Sequence, residues 1–352
     1  MEVAVQTSAR LVVRPPNWLG DAVLALPAMA AIRRAFPQAH LTVAAVPGVA
    51  ALFREGTDAR PNHVLDLPTS TRQAIAVLEG GGFDLGLLLP NSFRSAWQFW
   101  RAGIRERWGY GTGGRGLLLT RASRVTSLPR GQSRHQADYY RALVQSWGFE
   151  APEDERPVVA ASSASAARAD ALLAQYGLEP GRPFVGFAPG AAYGHAKQWP
   201  PDRVVALAAR LMDSNDVAIV VVGASHDRDT ARAVESSLRV ERPARARQIV
   251  NLTGRTSLGA LVGVLSRASA FVSNDSGAMH VAAAVGCPVV AIFGPTDERA
   301  THPLGIHEVI TEPVFCRPCM LRDCPIDHRC MKRISVDRVH DAVIAHLARA
   351  GR

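Results

Sequence analysis

An alternation of apolar, strand-like runs with helical patterns constrains the fold most, and it occurs twice along the 352 residues. In the first half, the runs predicted as strands are 11–14, 41–46, 64–67 and 85–90, and residues 21–36 predict one amphipathic helix. In the second half, the predicted strands are 184–187, 217–222, 249–252, 270–273 and 289–293, with helical stretches near 201–212, 227–238, 258–266 and 278–285. Such alternation is typical of parallel sheets covered on both faces, with ligands at the carboxyl ends of the strands. The sequence therefore predicts an α/β protein with two Rossmann-like, doubly wound domains.

The segment between the two halves predicts the domain boundary. Residues 150–174 begin with prolines and charged side chains and then become rich in alanine and serine, which favours a linker followed by a helix. We therefore expect an N-terminal domain over residues 1–160. Residues 161–352 are expected to contain the linker helix, a second Rossmann-like domain, a late cysteine cluster at 316–330 and a C-terminal helix.

Hydropathy and the start of the chain predict its location. The longest uncharged stretch, 281–296, is interrupted by Gly286, Pro288 and Gly294 and is shorter than the ~20 apolar residues that a membrane-spanning helix needs. Residues 1–14 include Glu2 and lack the basic segment and long apolar core of a secretory signal. We expect a cytoplasmic protein with reduced thiols.

Positive charge is concentrated in residues 91–134. The chain has a net charge of +9, and this segment holds nine arginines against one acidic residue, Glu106. The arginines are interleaved with aromatic side chains, a mixture that suits an anionic amphiphile. A solvated arginine-rich surface over a few core aromatics explains the same pattern. A groove for single-stranded nucleic acid is a third interpretation, although the sequence contains no nucleic-acid-binding motif.

The first predicted strand ends in Arg14-Pro-Pro-Asn17-Trp-Leu-Gly-Asp21, where the predicted helix begins at once. Asp21 is therefore expected at a helix N-terminus and at the ligand edge of the sheet. Its carboxylate either satisfies free amides and the helix dipole or acts as a base. Deprotonating an alcohol requires a carboxylate that is beside a cleft and partly shielded from water, and a loop at the carboxyl end of a strand provides both conditions.

Two loops of the second half contain groups that suit a phosphate, and each follows a predicted strand. Their candidate residues, including one in the helix after the second loop, are Gly190, Tyr193, Lys197, Asp275, Ser276, Gly277 and His280. Lys197 is one of only two lysines among 40 basic residues, and a compact ammonium together with amides at a helix start can hold a diphosphate. Ordinary strand-to-helix connections with a surface lysine and a structural histidine are the alternative.

Four cysteines late in the chain follow the pattern C-x2-C-x4-C-x5-C. They are Cys316, Cys319, Cys324 and Cys330. Thiolates at such spacing can hold a structural zinc or an iron-sulfur cluster, with His328 as a substitute ligand, although the spacing is not that of a standard finger. Free thiols are the alternative, and Cys287 is expected in the core. A formal dinucleotide pattern at 109–114 is not followed by a helical pattern and is interpreted as a turn.

Five groups of residues resemble the motifs of a known family, and the similarity extends from about residue 11 to the end. They are Asn17-Trp-Leu-Gly-Asp21 with Leu26-Pro-Ala28, Leu89-Pro-Asn-Ser-Phe-Arg-Ser95, Pro189-Gly-Ala191, Ala196-Lys-Gln-Trp-Pro200, and Asn274-Asp-Ser-Gly277 with His280. In this order they resemble the motifs of the lipopolysaccharide heptosyltransferases, a family of GT-B glycosyltransferases.

The resemblance implies two domains that face each other across a cleft, with the acceptor on the N-terminal domain and the donor on the C-terminal domain. The donor would be ADP-L-glycero-D-manno-heptose, and transfer with inversion would add its heptose to the first heptose of heptosyl-Kdo-lipid A in the lipopolysaccharide inner core. Asp21 would be the catalytic base. Asn17, Asn91 and Arg94 would contact the acceptor, with 91–134 as the acceptor-facing surface. Donor contacts are implied for Gly190, Tyr193, Lys197, Asp275, Ser276, Gly277 and His280.

The resemblance also bears on cofactors, partners and alternatives. No metal or cofactor would be required, and the anionic, lipid-linked acceptor implies peripheral contact with the cytoplasmic face of the inner membrane. No nucleic acid or obligatory protein partner is expected. Another heptosyltransferase with a different acceptor, or a sugar-nucleotide epimerase or hydrolase on the same fold, is the alternative. Ala192 and His195 depart from the residues common at these positions of the family's loop.

Overall fold

The computed structural model describes residues 9–127, 129, 132–191 and 194–350. The contacts divide the chain into two compact units, residues 1–159 and 160–352, here called the N-terminal and C-terminal units. Each unit contains one six-stranded sheet. The prediction of an α/β protein with two parallel-sheet domains is confirmed.

The N-terminal unit is built around a sheet whose neighbouring strands are all parallel. Its strands are β1 (Arg10–Arg14), β2 (His40–Ala45), β3 (Gly56–Thr57), β4 (His63–Asp66), β5 (Leu85–Leu88), β6 (Glu106–Tyr110) and β7 (Arg121–Ser123). Its helices are α1 (Leu19–Leu24), α2 (Leu26–Ala35), α3 (Pro47–Ala50), α4 (Thr71–Gly80), α5 (Phe93–Arg101) and α6 (Gln136–Gln145). The sheet order is β4-β2-β1-β5-β6-β7, and the short β3 pairs instead with β8 (Val159–Ala160).

The C-terminal unit repeats this plan with a second parallel sheet. Its strands are β9 (Phe184–Ala188), β10 (Ala218–Val221), β11 (Ile249–Asn251), β12 (Ala270–Asn274), β13 (Val289–Phe293) and β14 (His307–Thr311), in the order β11-β10-β9-β12-β13-β14. Its helices are α7 (Ser163–Gln175), α8 (Pro201–Asn215), α9 (Arg228–Glu241), α10 (Leu258–Leu265), α11 (Gly277–Ala284), α12 (Glu298–Thr301), α13 (Arg329–Lys332) and α14 (Val336–Ala350).

Both strand orders reverse at one point, which lies between β1 and β5 in the first sheet and between β9 and β12 in the second. In open parallel sheets, ligands bind outside the carboxyl ends of the strands at such a switch point. The loops after β1, β5, β9 and β12 are therefore the positions where a site is expected. The implied site residues that the structure describes lie in these loops or in the helices that follow them, α1, α5 and α11.

The helix predicted over 21–36 is wrong as a single element. Two helices, α1 and α2, meet at Ala25, and Pro27 lies in the first turn of α2. Proline lacks the amide that would continue the hydrogen-bond ladder, so the helix restarts there. Strands β6, β7 and β14 were not predicted because charged residues and histidines interrupt their apolar pattern. Among the described residues, no helix has both the length and the apolar character needed to cross a membrane.

Candidate active site

A buried arginine shapes the loop after β1. Arg14, the last residue of β1, is 5% exposed, and its guanidinium donates to the carbonyl oxygens of Pro15 and Ala44 at 3.2 Å each. It also donates to Oδ1 of Asn17 at 2.5 Å. Burial lowers the pKa of Arg14 to about 10, so the group remains charged near neutral pH. Arg14 thereby holds the Asn17 amide at the carboxyl edge of the sheet.

Asp21 lies in the first turn of α1, directly after this loop. Its carboxylate is not the N-cap, because α1 begins at Leu19 after Trp18. The side chain of Asp21 is half-buried, and α1 packs against α6. Burial, and next the negative charge of Asp21, raise the pKa of Tyr140 in α6. The carboxylate therefore lies near a buried phenol and is partly shielded from water, while the helix N-terminus stabilises its charge.

Asn91 and Arg94 lie in the neighbouring loop and helix, since β5 pairs with β1. Nδ2 of Asn91 donates to the phenol oxygen of Tyr139 at 2.6 Å. Ser92 caps α5 by accepting a hydrogen bond from the backbone nitrogen of Ser95 at 3.4 Å. Arg94, in the first turn of α5, is exposed and forms no ion pair with any residue that the structure describes. The structure thus places the implied base and the three implied acceptor residues on adjacent loops.

The sequence analysis did not single out Arg115, which is fully buried behind the loop after β5. Its guanidinium donates to the carbonyl oxygen of Tyr110 at 2.7 Å and to those of Pro90 and Ser92. Burial lowers its pKa to about 10. Gly109 leaves room for this side chain, because a Cβ at this position would lie 2.8 Å from Nη2 of Arg115. The glycine-rich string makes room for a guanidinium that braces the site loop.

In the C-terminal unit, the side chain of Asn274 connects the loops after β9 and β12. Its Nδ2 donates to the carbonyl oxygens of Pro189 at 2.8 Å and Gly190 at 3.2 Å. Its Oδ1 accepts from the backbone nitrogen of Trp199 at 3.1 Å. The amide of a single buried side chain therefore satisfies three backbone groups and sets the path of both loops.

Lys197 and Asp275 form a nearly buried ion pair. Nζ of Lys197 donates to Oδ2 of Asp275 at 2.6 Å, and the same oxygen accepts from Oγ1 of Thr296 at 2.8 Å. The sequence analysis placed both charged residues at this edge but did not predict that they pair. The charge of Lys197 is thus balanced by a carboxylate of the protein itself.

The other implied donor residues lie around this pair. Ser276 precedes α11, with its Oγ 2.9 Å from Oγ of Ser273, and Gly277 begins the helix. His280, one turn into α11, is buried. Gly190 is required by packing, because a Cβ there would lie 2.0 Å from Oδ1 of Asp227. Tyr193 lies outside the described residues, and so does Ala192, which departs from the residue common at this position of the family's loop.

A small polar cavity at the end of β11 was not predicted. It has a volume of about 90 Å³ and is lined by Arg228, Arg232, Glu235, Asn251, Thr253 and Arg255. Oγ1 of Thr253 is buried and has no hydrogen-bond partner within the described part of the chain. The cavity lies at the same carboxyl edge of the sheet as the loops after β9 and β12.

The four late cysteines lie in different environments, from buried to exposed. In the described part of the chain, no group of three or more His, Cys, Asp or Glu side chains is placed to hold a metal ion. Cys330 belongs to the hydrophobic core, and burial raises its pKa to about 11. Cys324 is exposed, and Nε2 of His328 lies 2.6 Å from the carbonyl oxygen of Ala196. Of the two interpretations of these cysteines, a structural metal or free thiols, this arrangement favours free thiols. Cys287 is buried, as predicted.

Comparisons with known proteins agree with this arrangement. The profile of glycosyltransferase family 9 (heptosyltransferase) matches residues 72–329. Lipopolysaccharide heptosyltransferase 2 of Escherichia coli K12 is 30% identical over 307 residues, which cover 84% of this chain and 85% of that protein. The structure of E. coli ADP-heptose LPS heptosyltransferase II superposes with a TM-score of 0.81 at 27% identity, covering 97% of this chain and all of that one. A family 9 glycosyltransferase from Veillonella parvula has a TM-score of 0.78 at 20% identity, with 97% of each chain covered, and supports the fold alone.

The chain has two parallel-sheet domains with polar loops at both switch points, and it superposes on the E. coli heptosyltransferase II structure over nearly its whole length. These features define a glycosyltransferase with the GT-B fold. The sequence similarity then narrows the class. The chain belongs to glycosyltransferase family 9, the heptosyltransferases.

Proposed function

We propose that the protein transfers a heptose, with inversion, from ADP-L-glycero-D-manno-heptose to the first heptose of heptosyl-Kdo-lipid A in lipopolysaccharide inner-core synthesis. The observation that carries this proposal is the similarity, over most of both chains, to E. coli lipopolysaccharide heptosyltransferase 2. The N-terminal unit would bind the acceptor and the C-terminal unit the donor. The protein would act in the cytoplasm, in peripheral contact with the inner membrane and without an obligatory protein partner.

Asp21 is the proposed base. Its carboxylate takes the proton of the acceptor hydroxyl as the oxygen attacks C1 of the donor heptose from the face opposite the diphosphate. The bond between C1 and the β-phosphate oxygen breaks, its electron pair leaves with ADP, and the configuration at C1 inverts. The half-buried position beside Tyr140 supports this role, because partial desolvation makes a carboxylate a better proton acceptor than it is in water.

Lys197 and the start of α11 are proposed to stabilise the departing diphosphate. The Lys197 ammonium lies 2.6 Å from Asp275, so a bound diphosphate would share that ammonium with the carboxylate. The amides of Gly277 and its neighbours at the helix N-terminus, with the Ser276 hydroxyl, add donors for phosphate oxygens. Gly190, Tyr193 and His280 are proposed as further donor contacts, and the polar cavity at Thr253 as a place for the nucleoside.

The acceptor contacts are proposed for Asn17, Asn91 and Arg94. The two amides are already oriented, by Arg14 and by Tyr139 respectively, so little side-chain entropy is lost when they bind a sugar hydroxyl. Arg94 has an exposed guanidinium beside them that suits an anionic group of the acceptor.

We propose transfer without a divalent metal, because an ammonium and preorganised amides at the leaving group supply stabilisation worth several kcal/mol. Activity of the purified protein should persist in a chelator. Loss of transfer in chelator, with recovery on adding magnesium, would overturn this part of the proposal.

Mass spectrometry of a deacylated heptosyl-Kdo acceptor tests the whole proposal. Incubation with ADP-heptose should add one heptose to the acceptor, and Asp21→Ala should abolish the gain while donor binding persists. Asp229→Ala is the matched control, since Asp229 is a fully exposed carboxylate on α9. If the protein hydrolyses or binds the donor and never extends the acceptor, a different acceptor or an epimerase or hydrolase activity would replace the proposal. If Asp21→Asn keeps near-normal transfer, Asp21 is not the base.

A further inference from the structure

Helix α5 has an aromatic face that no part of its own unit covers. Its buried side contains Ala96 and Phe99, which belong to the core beneath the sheet. Phe93, Trp97 and Trp100 recur at helical spacing and are 51%, 38% and 42% exposed. The 3₁₀ turn 115–118, which packs against α5, adds Leu117 with 96% of its surface exposed. An exposed apolar stripe of this kind marks an interaction surface.

The two exposed tryptophans form a pair. The ring centroids of Trp97 and Trp100 are 5.1 Å apart, and the guanidinium of Arg101 lies 5.9 Å from the Trp100 ring. Within the described ranges, neither indole nitrogen donates a hydrogen bond. Paired indoles with free N–H groups at a wet surface resemble the aromatic belts of membrane proteins, in which the ring sits at headgroup depth and the N–H meets polar lipid groups.

The charge around this stripe is uncompensated. Arg101 and Arg105 are exposed and have no ion-pair partner within the described part of the chain. Several exposed arginines elsewhere are instead paired with carboxylates, as in Arg54–Asp66 and Arg210–Asp337. A surface that combines unpaired guanidinium groups with exposed aromatic rings complements an anionic bilayer, where phosphates are at the surface and acyl chains are beneath.

We propose that α5 docks the protein on an anionic phospholipid bilayer, with Phe93, Trp97 and Trp100 entering the interface and Arg101 and Arg105 contacting headgroup phosphates. The proposal rests on the proposed function only for its purpose, which is to bring the acceptor loops to a lipid-linked acceptor. A single-stranded nucleic acid fits the surface less well, because base stacking needs open ring faces, and the Trp100 ring has Trp97 tilted against it and the Arg101 guanidinium 5.9 Å from its centroid.

Flotation of the full chain with vesicles tests this assignment. The wild type should bind vesicles of phosphatidylethanolamine and phosphatidylglycerol and should bind phosphatidylcholine vesicles weakly. Trp97→Gln with Trp100→Gln should weaken binding to the anionic vesicles by about tenfold or more. Val240→Gln is the matched control, because Val240 is an apolar residue on α9 that is more exposed than either tryptophan, and it should change nothing.

A second measurement reports directly whether the rings enter the bilayer. Lipids brominated on their acyl chains should quench the tryptophan emission of the wild type, and the double variant should lose most of this quenching. Equal vesicle binding by the double variant and the wild type, or binding to a single-stranded oligonucleotide in place of vesicles, would overturn the proposal. Transfer to the deacylated, water-soluble acceptor is measured in parallel. If the wild type does not transfer heptose to this acceptor, the proposed function is refuted, and vesicle binding still decides the docking surface.

Discussion

The two sheets reverse their strand order in the same way but hold their site loops with different chemistry. In the N-terminal unit, the buried guanidinium groups of Arg14 and Arg115 donate to carbonyl and amide oxygens. In the C-terminal unit, the neutral amide of Asn274 connects the loops, and the charge of Lys197 is balanced by Asp275. The two buried arginines of the first edge therefore keep their charge among neutral oxygens, whereas the lysine of the second edge is balanced by a carboxylate.

This difference indicates which kind of ligand each edge of the two sheets suits. Guanidinium groups that pair with neutral oxygens keep their full charge, which attracts an anionic acceptor before any contact is made and adds to the on-rate. A balanced ion pair lowers the attraction for unrelated anions, and its ammonium becomes useful only to a group that approaches within hydrogen-bond distance. The donor edge is thus built for a diphosphate placed in one position, and the acceptor edge for a larger, charged surface.

The largest expected effect comes from Lys197. Lys197→Met should lower kcat/KM by about 10²–10³-fold, because the leaving diphosphate loses its ammonium in a shielded site. The KM for acceptor should change little, since Lys197 lies in the donor unit. Steady-state kinetics with each substrate varied measures both quantities. Lys332→Met is the natural control, as Lys332 is the only other lysine and is exposed.

Removing Lys197 also leaves the nearly buried Asp275 without its cation, which destabilises the fold on its own. The double variant Lys197→Met with Asp275→Asn separates the two effects. It should regain stability, measured by thermal unfolding, without regaining turnover. Normal turnover in either variant would mean that the pair is structural and that the two edges do not differ in the way described.

Arg115 provides the next largest effect. Arg115→Met should lower the free energy of unfolding by about 2–4 kcal/mol, since three backbone carbonyls behind the loop after β5 lose their donor. The KM for acceptor should rise and the KM for donor should stay unchanged. Denaturant titration and kinetics provide the two readouts.

Arg124→Met is the matched control for this variant, because Arg124 is exposed, and it should shift stability by less than about 0.5 kcal/mol. A rise in the KM for donor after Arg115→Met would show that the acceptor edge does not depend separately on its buried arginine. An unfolding free energy equal to that of Arg124→Met would show that the guanidinium does not brace the loop.

Sequence patterns predicted the location of the site better than its internal connections. The loops with Asp21 and Lys197 were placed correctly at sheet edges, because strand and helix periodicity fixes where a βα loop must lie. The ion pair of Lys197 with Asp275 was not predicted, since it joins residues 78 positions apart across two loops. Arg115 was grouped with a charge run that is otherwise mostly exposed. Among the described arginines of this run, Arg115 is the buried one, and its contact with Gly109 is a property of the fold.

The smallest expected effect concerns alkaline pH and again separates the two units. Burial raises the pKa of the Cys287 thiol to about 12 and that of Cys330 to about 11, against an ordinary value of 9.0. Above pH 9 the folded C-terminal unit therefore holds more protons than the unfolded chain, and its stability falls as pH rises toward those values. In the N-terminal unit, burial raises the pKa of Tyr110 from 10.0 to about 12, so its loss of stability starts only above pH 10. Burial lowers the pKa values of Arg14 and Arg115 to about 10, so in that range the unfolded chain holds more of their protons, and these two groups make the stability rise with pH.

Between pH 9 and 10 the loss should consequently be confined to the C-terminal unit, with about 1 kcal/mol contributed by the Cys287 thiol. Hydrogen exchange followed by peptide mass spectrometry measures each unit separately, and protection should fall in β9–β13 before it falls in β1–β6. Cys287→Ala should flatten this pH dependence, whereas Val240→Ala should not, because Val240 is an exposed residue of the same unit with no ionisable group. Equal losses in both units over this interval would mean that buried thiols do not control the alkaline limit, and that the electrostatic contrast between the units is restricted to their site edges.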